Sequence, residues 1–307
     1  MQKSTAYHPA VQLIFLVLMA FIGAIVFTIL GGLFWFFTDP NASLTALTAG
    51  DPAMMSLNFL RYVQISSSIG MFIAGPIAFA YLNEVKPKSY YYFDQPVHIY
   101  LLILVVAIMF FSNPLLEYIT VLNQKMSLPD ALKSVEIWMK NSEKQAAELT
   151  KKLLAMKGLG DLTINLVMIA IIPAIGEELF FRGGIQNILG QWFKNHHAAI
   201  WVTAIIFSSI HMQFYGFFPR MFLGALFGYL LVYGKNIWLA ILGHFLNNGT
   251  AVVMAYIMQK QGKSLDELDQ GTTFEWMGYT ISTIFTVALL ILFFKKAKEK
   301  QLQNIYE

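Results

Sequence analysis

Six stretches of this chain, 13–37, 62–82, 99–122, 164–181, 237–257 and 276–294, are apolar runs close to the roughly 20 residues that a helix needs to cross a bilayer. A backbone in hydrocarbon has no water to bond to, so each run must satisfy its own N–H and C=O groups, which a continuous helix does. Such a chain is expected to fold as an all-α, polytopic membrane bundle. Two shorter apolar runs, 198–212 and 217–233, would measure roughly 22 and 25 Å at 1.5 Å per residue. They are joined by the uncharged link 213–216 and read as a hairpin that returns to the side it left. The expected total is about eight helices, the fifth and sixth short.

The first run is longer than the core of a secretory signal and is followed by Thr38, Asp39 and Pro40 rather than a small-residue cleavage site, so it reads as a retained span. Pro76, Pro114 and Pro173 each remove a backbone donor within a run and are expected to kink it. With no internal repeat or low-complexity tract, residues 1–307 read as a single membrane domain. Composition agrees: with 13% charged residues and a mean hydropathy of +0.57, there is too little polar surface to coat a soluble protein of this size. A net charge of +3 gives no basic face for nucleic acid. The absence of cysteine removes disulfides, thiolate metal sites and cysteine nucleophiles together.

The segment 123–160 reads as an amphipathic, extracytoplasmic loop insertion. Glu143, Glu148, Lys144 and Lys152 surround a Leu149, Leu153, Met156 stripe at helical spacing, the pattern of a solvated cap or of an element that gates substrate. Orientation depends on this segment, because the Lys and Arg residues otherwise divide unevenly between the two ends. Seven fall within 123–160; without them the excess lies on the side of the N-terminus, with Lys295, Lys296, Lys298 and Lys300 after the last run and none between Thr38 and Ser56. Both termini are therefore expected in the cytoplasm.

Ionisable groups inside a span cost about 2.5 to 3.5 kcal/mol each on insertion scales, so they mark function by default. The second half of the chain concentrates them. The fourth run ends with Pro173, Glu177, Glu178 and Arg182; the fifth carries Phe207 and ends at His211; the seventh contains His244 and Asn248. Glu178 and Arg182 are four apart on one helical face and can neutralise each other. Glu177 then points about 100° away, without a local partner. His244 and Asn248, again four apart, project from one face of their helix. Gathering these side chains in one polar pocket satisfies them collectively. Glu177, His211 and His244 also make a two-His, one-carboxylate set, which could hold zinc with an open fourth position. If Glu177 binds zinc, however, it cannot also be the free base. Asn248 suits an oxyanion better than a metal, so no cofactor is the preferred reading and zinc the alternative. Arg220, near the hairpin apex, could reach outward or pair with a buried acid.

The ordered set Glu-Glu-x-x-x-Arg, Phe-x-x-x-His and His-x-x-x-Asn, each within a span, resembles the CPBP family of CAAX prenyl endopeptidases and bacteriocin-processing enzymes, over 162–253. The resemblance implies an intramembrane endopeptidase of about eight helices with a cytosol-facing cavity. Carried over by position, it makes Glu177 the residue that activates water with His211, and His244 and Asn248 the holders of the oxyanion. Glu178, Arg182 and Phe207 fall on accessory positions. The partners implied are the bilayer and a membrane-anchored protein or peptide substrate. A proton-coupled transporter is the rival from another class, since buried Glu and His also build proton relays. A non-proteolytic immunity or scaffold protein with the same pocket is a third reading.

Overall fold

The computed structural model describes residues 7–40, 42, 55–265 and 274–306. Most of the loop 39–56, which carries no Lys or Arg, lies outside the described residues. Among the described residues every regular element is helical. The main helices are α1 (Pro9–Thr38), α2 (Leu57–Leu82), α3 (Ile99–Gln124), α4 (Lys133–Leu153), α5 (Leu159–Phe193), α6 (His196–Ser209), α7 (Phe217–Gly234), α8 (Ile237–Lys260) and α9 (Trp276–Tyr306). Seven of the described helices are long and apolar enough to cross a membrane; α6, with 14 residues, is the short element expected between them.

Helix α1 begins where Pro9 supplies a preset φ and His8 Nδ1 accepts from the amide of Ala10. Its outer side chains Ile14, Phe21, Ile25, Ile29 and Phe37 are more than half exposed, the composition of a lipid-facing surface. Its inner face meets α2 backbone to backbone. A Cβ built on Gly23 would lie 2.1 Å from the carbonyl oxygen of Gly70, and one on Gly70 equally close to that of Gly23. Small residues here replace the hydrophobic drive that is missing between helices in lipid.

The three prolines are accommodated in two ways. Pro76 and Pro173 each follow a π-helical stretch, Gly70–Ala74 and Leu166–Ile171. In α3, Pro114 sits inside the helix, and the hydroxyl of Ser282 from α9 enters the ladder beside it. Ser282 donates to Phe111 O at 2.6 Å and accepts from Leu115 N at 3.1 Å. Side-chain insertion of this kind re-satisfies freed backbone groups in lipid.

Helices alternate in direction, and this sorts the loops to two ends. At one end His8 packs on Trp192, and Lys300 reaches the carbonyl of Pro96. At the other, Arg61 pairs with Asp161 at 2.9 Å, Lys152 donates to Met55 O, and Lys260 donates to Lys157 O. The α6–α7 hairpin turns at this Asp161 end. Asn123 of α3 fastens its apex, donating to Phe214 O at 3.1 Å and accepting from Phe218 N at 3.0 Å. Helix α4 lies across the same end, with Trp138 on Phe214 and Glu143 accepting from Tyr215 N.

Candidate active site

The site is built on α5, where an α-helical turn, Ile172–Glu177, is held between two π-helical stretches. The second, Glu178–Gln186, is buried at every residue. Three polar side chains four residues apart, Glu178, Arg182 and Gln186, form a row facing inward. Arg182 donates to Glu178 Oε1 at 2.9 Å and to Gly224 O at 3.2 Å, and Gln186 donates to Gly228 O at 3.3 Å. The glycines make room: a Cβ on Gly228 would sit 2.5 Å from Gln186 Oε1. The expected Glu178–Arg182 pair is thus present, with no exposure of either side chain.

Glu178 does more than neutralise Arg182. The same Oε1 lies 2.8 Å from His244 Nδ1. Because an ionised carboxylate only accepts, Nδ1 carries the proton in this contact, and Nε2 is turned toward Glu177 Oε2, 3.9 Å away. Phe227 stacks on the His244 ring at 5.4 Å and 16°, which fixes its plane. Phe207 packs its face under the Arg182 guanidinium at 4.5 Å and meets the His211 ring in a T-shaped contact at 5.0 Å. Its accessory position therefore acquires a physical content: it packs against two polar groups of the site, Arg182 and His211.

His211, just past the end of α6, donates from Nδ1 to the carbonyl of Phe207 at 2.7 Å, so in the neutral ring Nε2 keeps its lone pair. Asn248 donates to the carbonyl of Ile169 at 3.0 Å and accepts from Asn247 Nδ2 at 3.0 Å. That leaves one Nδ2 hydrogen of Asn248 for a guest. Asn247, its orienting neighbour, and Glu178 as the partner of His244 had no signal in helical spacing. Both follow from which helix faces which.

Glu177, His211, His244 and Asn248 all line one cavity of about 800 Å³, within the usual range of ligand pockets. Glu177 is 16% exposed in its side chain and makes no direct hydrogen bond among the described residues. The cavity reaches from the middle of α5 to the Asp161 end of the bundle, where Ala146, Leu149 and Leu153 of α4 form part of its wall. The stripe expected in 123–160 divides accordingly: Leu149 and Leu153 face the cavity, whereas Met156 is buried against Val252 and Ala255. Arg220 lines the cavity too and bonds to Gln213, so among the described residues it neither reaches outward nor pairs directly with a buried acid. His196 and His197 are exposed at the other end.

A zinc site needs its ligands gathered around one point. Among the described residues no three His, Asp or Glu side chains are gathered as a group that could hold a metal ion. Glu177, His211 and His244 share the cavity without converging as ligands, so the described arrangement does not fit a resident zinc.

Removing the shared carboxylate should have two effects. Glu178→Gln leaves Arg182 buried and unpaired, a loss of about 3 kcal/mol for a broken buried pair, and it frees the His244 ring. Thermal unfolding in detergent should show a clearly lowered Tm, and an unchanged Tm would show that the pair contributes nothing to the fold.

Comparison with known proteins bears on this geometry. No curated protein and no solved structure matches the chain. Residues 160–250, which contain Glu177, His211, His244 and Asn248, match the family model described as type II CAAX prenyl endopeptidase Rce1-like. Over this stretch the chain is thus similar to the type II CAAX prenyl endopeptidases, which supports its membership of the CPBP family.

Proposed function

We propose that this protein is an intramembrane endopeptidase that hydrolyses a peptide bond near the membrane in a lipid-anchored or membrane-inserted substrate. The observation that carries the reading is the meeting of Glu177, His211, His244 and Asn248, from three separate helical segments, in one cavity. Glu177 and His211 present a carboxylate and an imidazole lone pair with no hydrogen bond between them, which leaves a water to be held by both. That water loses its proton to this pair as its oxygen attacks the scissile carbonyl carbon. Asn248 donates its remaining Nδ2 hydrogen to the developing oxyanion. His244 can donate from Nε2 only as an imidazolium, since Nδ1 already serves Glu178. Glu178 Oε1 stands 2.8 Å from its Nδ1 and Glu177 Oε2 3.9 Å from its Nε2. Collapse of the tetrahedral intermediate breaks the C–N bond, and the proton held by the Glu177–His211 pair passes to the leaving amine.

Glu177→Gln keeps the shape and a hydrogen-bonding group but removes the base. It should abolish cleavage of a lipid-anchored peptide, read by mass spectrometry, while leaving the Tm in detergent close to that of the parent. In the same assay a strong chelator should leave the parent's rate unchanged; a loss reversed by added zinc would move Glu177 from base to ligand.

The reading also includes a side of the membrane. The charge asymmetry supports a reading with both termini in the cytoplasm, and the cavity reaches the Asp161 end, away from Pro9 and from the C-terminal half of α9. The site would then open outside the cytoplasm, whereas the family resemblance implies a cytosol-facing cavity; the two expectations exclude each other. Since there is no native cysteine, single substitutions settle the matter. Lys144→Cys, on the exposed face of α4, should react with an impermeant thiol reagent in intact cells, and Lys298→Cys should not. The reverse pattern would turn the cavity to the cytosol.

A further inference from the structure

The catalytic cavity contains one cation that the mechanism leaves unused. Arg220, in the first turn of α7, is half-buried and lines the cavity with Glu177 and Asn248. Its guanidinium donates to Gln213 Oε1 at 2.7 Å and to Gln213 O at 3.4 Å, and it packs against Gly216, where a Cβ would stand 3.2 Å from NH2. These contacts use two of five N–H donors. Glu143 and Glu177 are the carboxylates that act on it electrostatically, yet neither is within ion-pair distance among the described residues, and Glu143 accepts from the backbone of Tyr215 instead. The contrast with the other arginines is sharp: Arg182 and Arg61 each hold a carboxylate at 2.9 Å.

A positioned guanidinium with spare donors and no direct carboxylate matches a carboxylate from outside, because the planar fork binds both oxygens at once. Gln213 and Gly216 hold it in place before the guest arrives, which lowers the ordering cost of binding. A peptide can bring such a group as its C-terminal carboxylate or as an Asp or Glu side chain near the scissile bond. We propose that Arg220 is a substrate-binding residue that holds a carboxylate of the peptide and so sets which bond lies over Glu177. This rests on the proteolytic reading above and adds to it a substrate class, peptides with a carboxylate close to the cleaved bond.

The test uses binding as well as cleavage, so that the two readings can fail separately. The probes are short acyl-anchored fluorescent peptides in matched pairs: C-terminal acid against amide, and internal Asp or Glu against Asn or Gln. They are titrated against the full-length Glu177→Gln protein in detergent, and kcat and KM are measured with the parent. One acidic member should bind at least about tenfold more tightly than its neutral twin, and the member that does so identifies the source of the carboxylate. In the parent the same difference should appear in KM, with kcat little changed. Arg220→Gln should erase the preference and Arg220→Lys should keep part of it. A role confined to fastening the hairpin apex would lower the Tm of both variants and leave the acid-to-neutral ratio intact. An intact ratio in Arg220→Gln, or equal binding of both members of every pair, would overturn the proposal. Arg220-dependent acid binding in a parent that cleaves none of the peptides would instead retain the binding site and overturn the protease.

Discussion

One carboxylate oxygen, Oε1 of Glu178, is shared by two groups from different parts of the chain, Arg182 on its own helix and His244 on α8. A fully buried charge is tolerable only when its partners are close and geometrically fixed. Here the partners tie α5 to α8, and Arg182 extends the tie to α7 through the carbonyl of Gly224. The orientation of the His244 ring, the direction of its Nε2 toward Glu177 and the position of Phe207 beneath Arg182 all follow from this one anchor. Glu177 is the neighbour of the anchor in sequence but not part of it. It therefore keeps a carboxylate without a direct hydrogen bond among the described residues, facing the cavity.

The backbone that presents these two glutamates is irregular. Helix α5 changes from π to α and back to π around Pro173, and the change falls at the boundary between Glu177 and Glu178. Interruptions of this kind cluster at functional sites, because an i→i+5 turn alters the angle between successive side chains. The same economy is visible in α3, where the Ser282 hydroxyl bridges the ladder beside Pro114. Strain from proline is relieved by neighbouring helices rather than by solvent.

The cavity combines a polar floor with an apolar wall contributed partly by α4. That helix is fastened by contacts at the Asp161 end of the bundle: Trp138 on Phe214, Glu143 on Tyr215 and Lys152 on Met55. Leu149 and Leu153 face inward from it toward the polar groups. A peptide entering this space would meet hydrogen-bonding groups on one side and aliphatic surface on the other, the usual division of labour between orientation and burial in binding sites.

Sequence alone determined the class of fold and the short list of candidate site residues. Runs of apolar residues of bilayer length admit little but helices, because hydrocarbon offers the backbone no alternative partner. Ionisable residues within those runs stand out because their insertion is costly, so Glu177, His211 and His244 were legible as candidates from position, and Asn248 and the Glu178–Arg182 pair from a spacing of four. Tertiary structure decided what lies across helices. Nothing in the spacing of His244 shows that Glu178, 66 residues earlier, holds its Nδ1. Likewise the sequence does not say that Asn247 and the Ile169 carbonyl aim the Asn248 carboxamide, or that Leu149 faces the site from a loop helix. The physical reason is that periodicity records which face of one helix is polar, whereas a partner on another helix depends on crossing, register and the π turns that shift both.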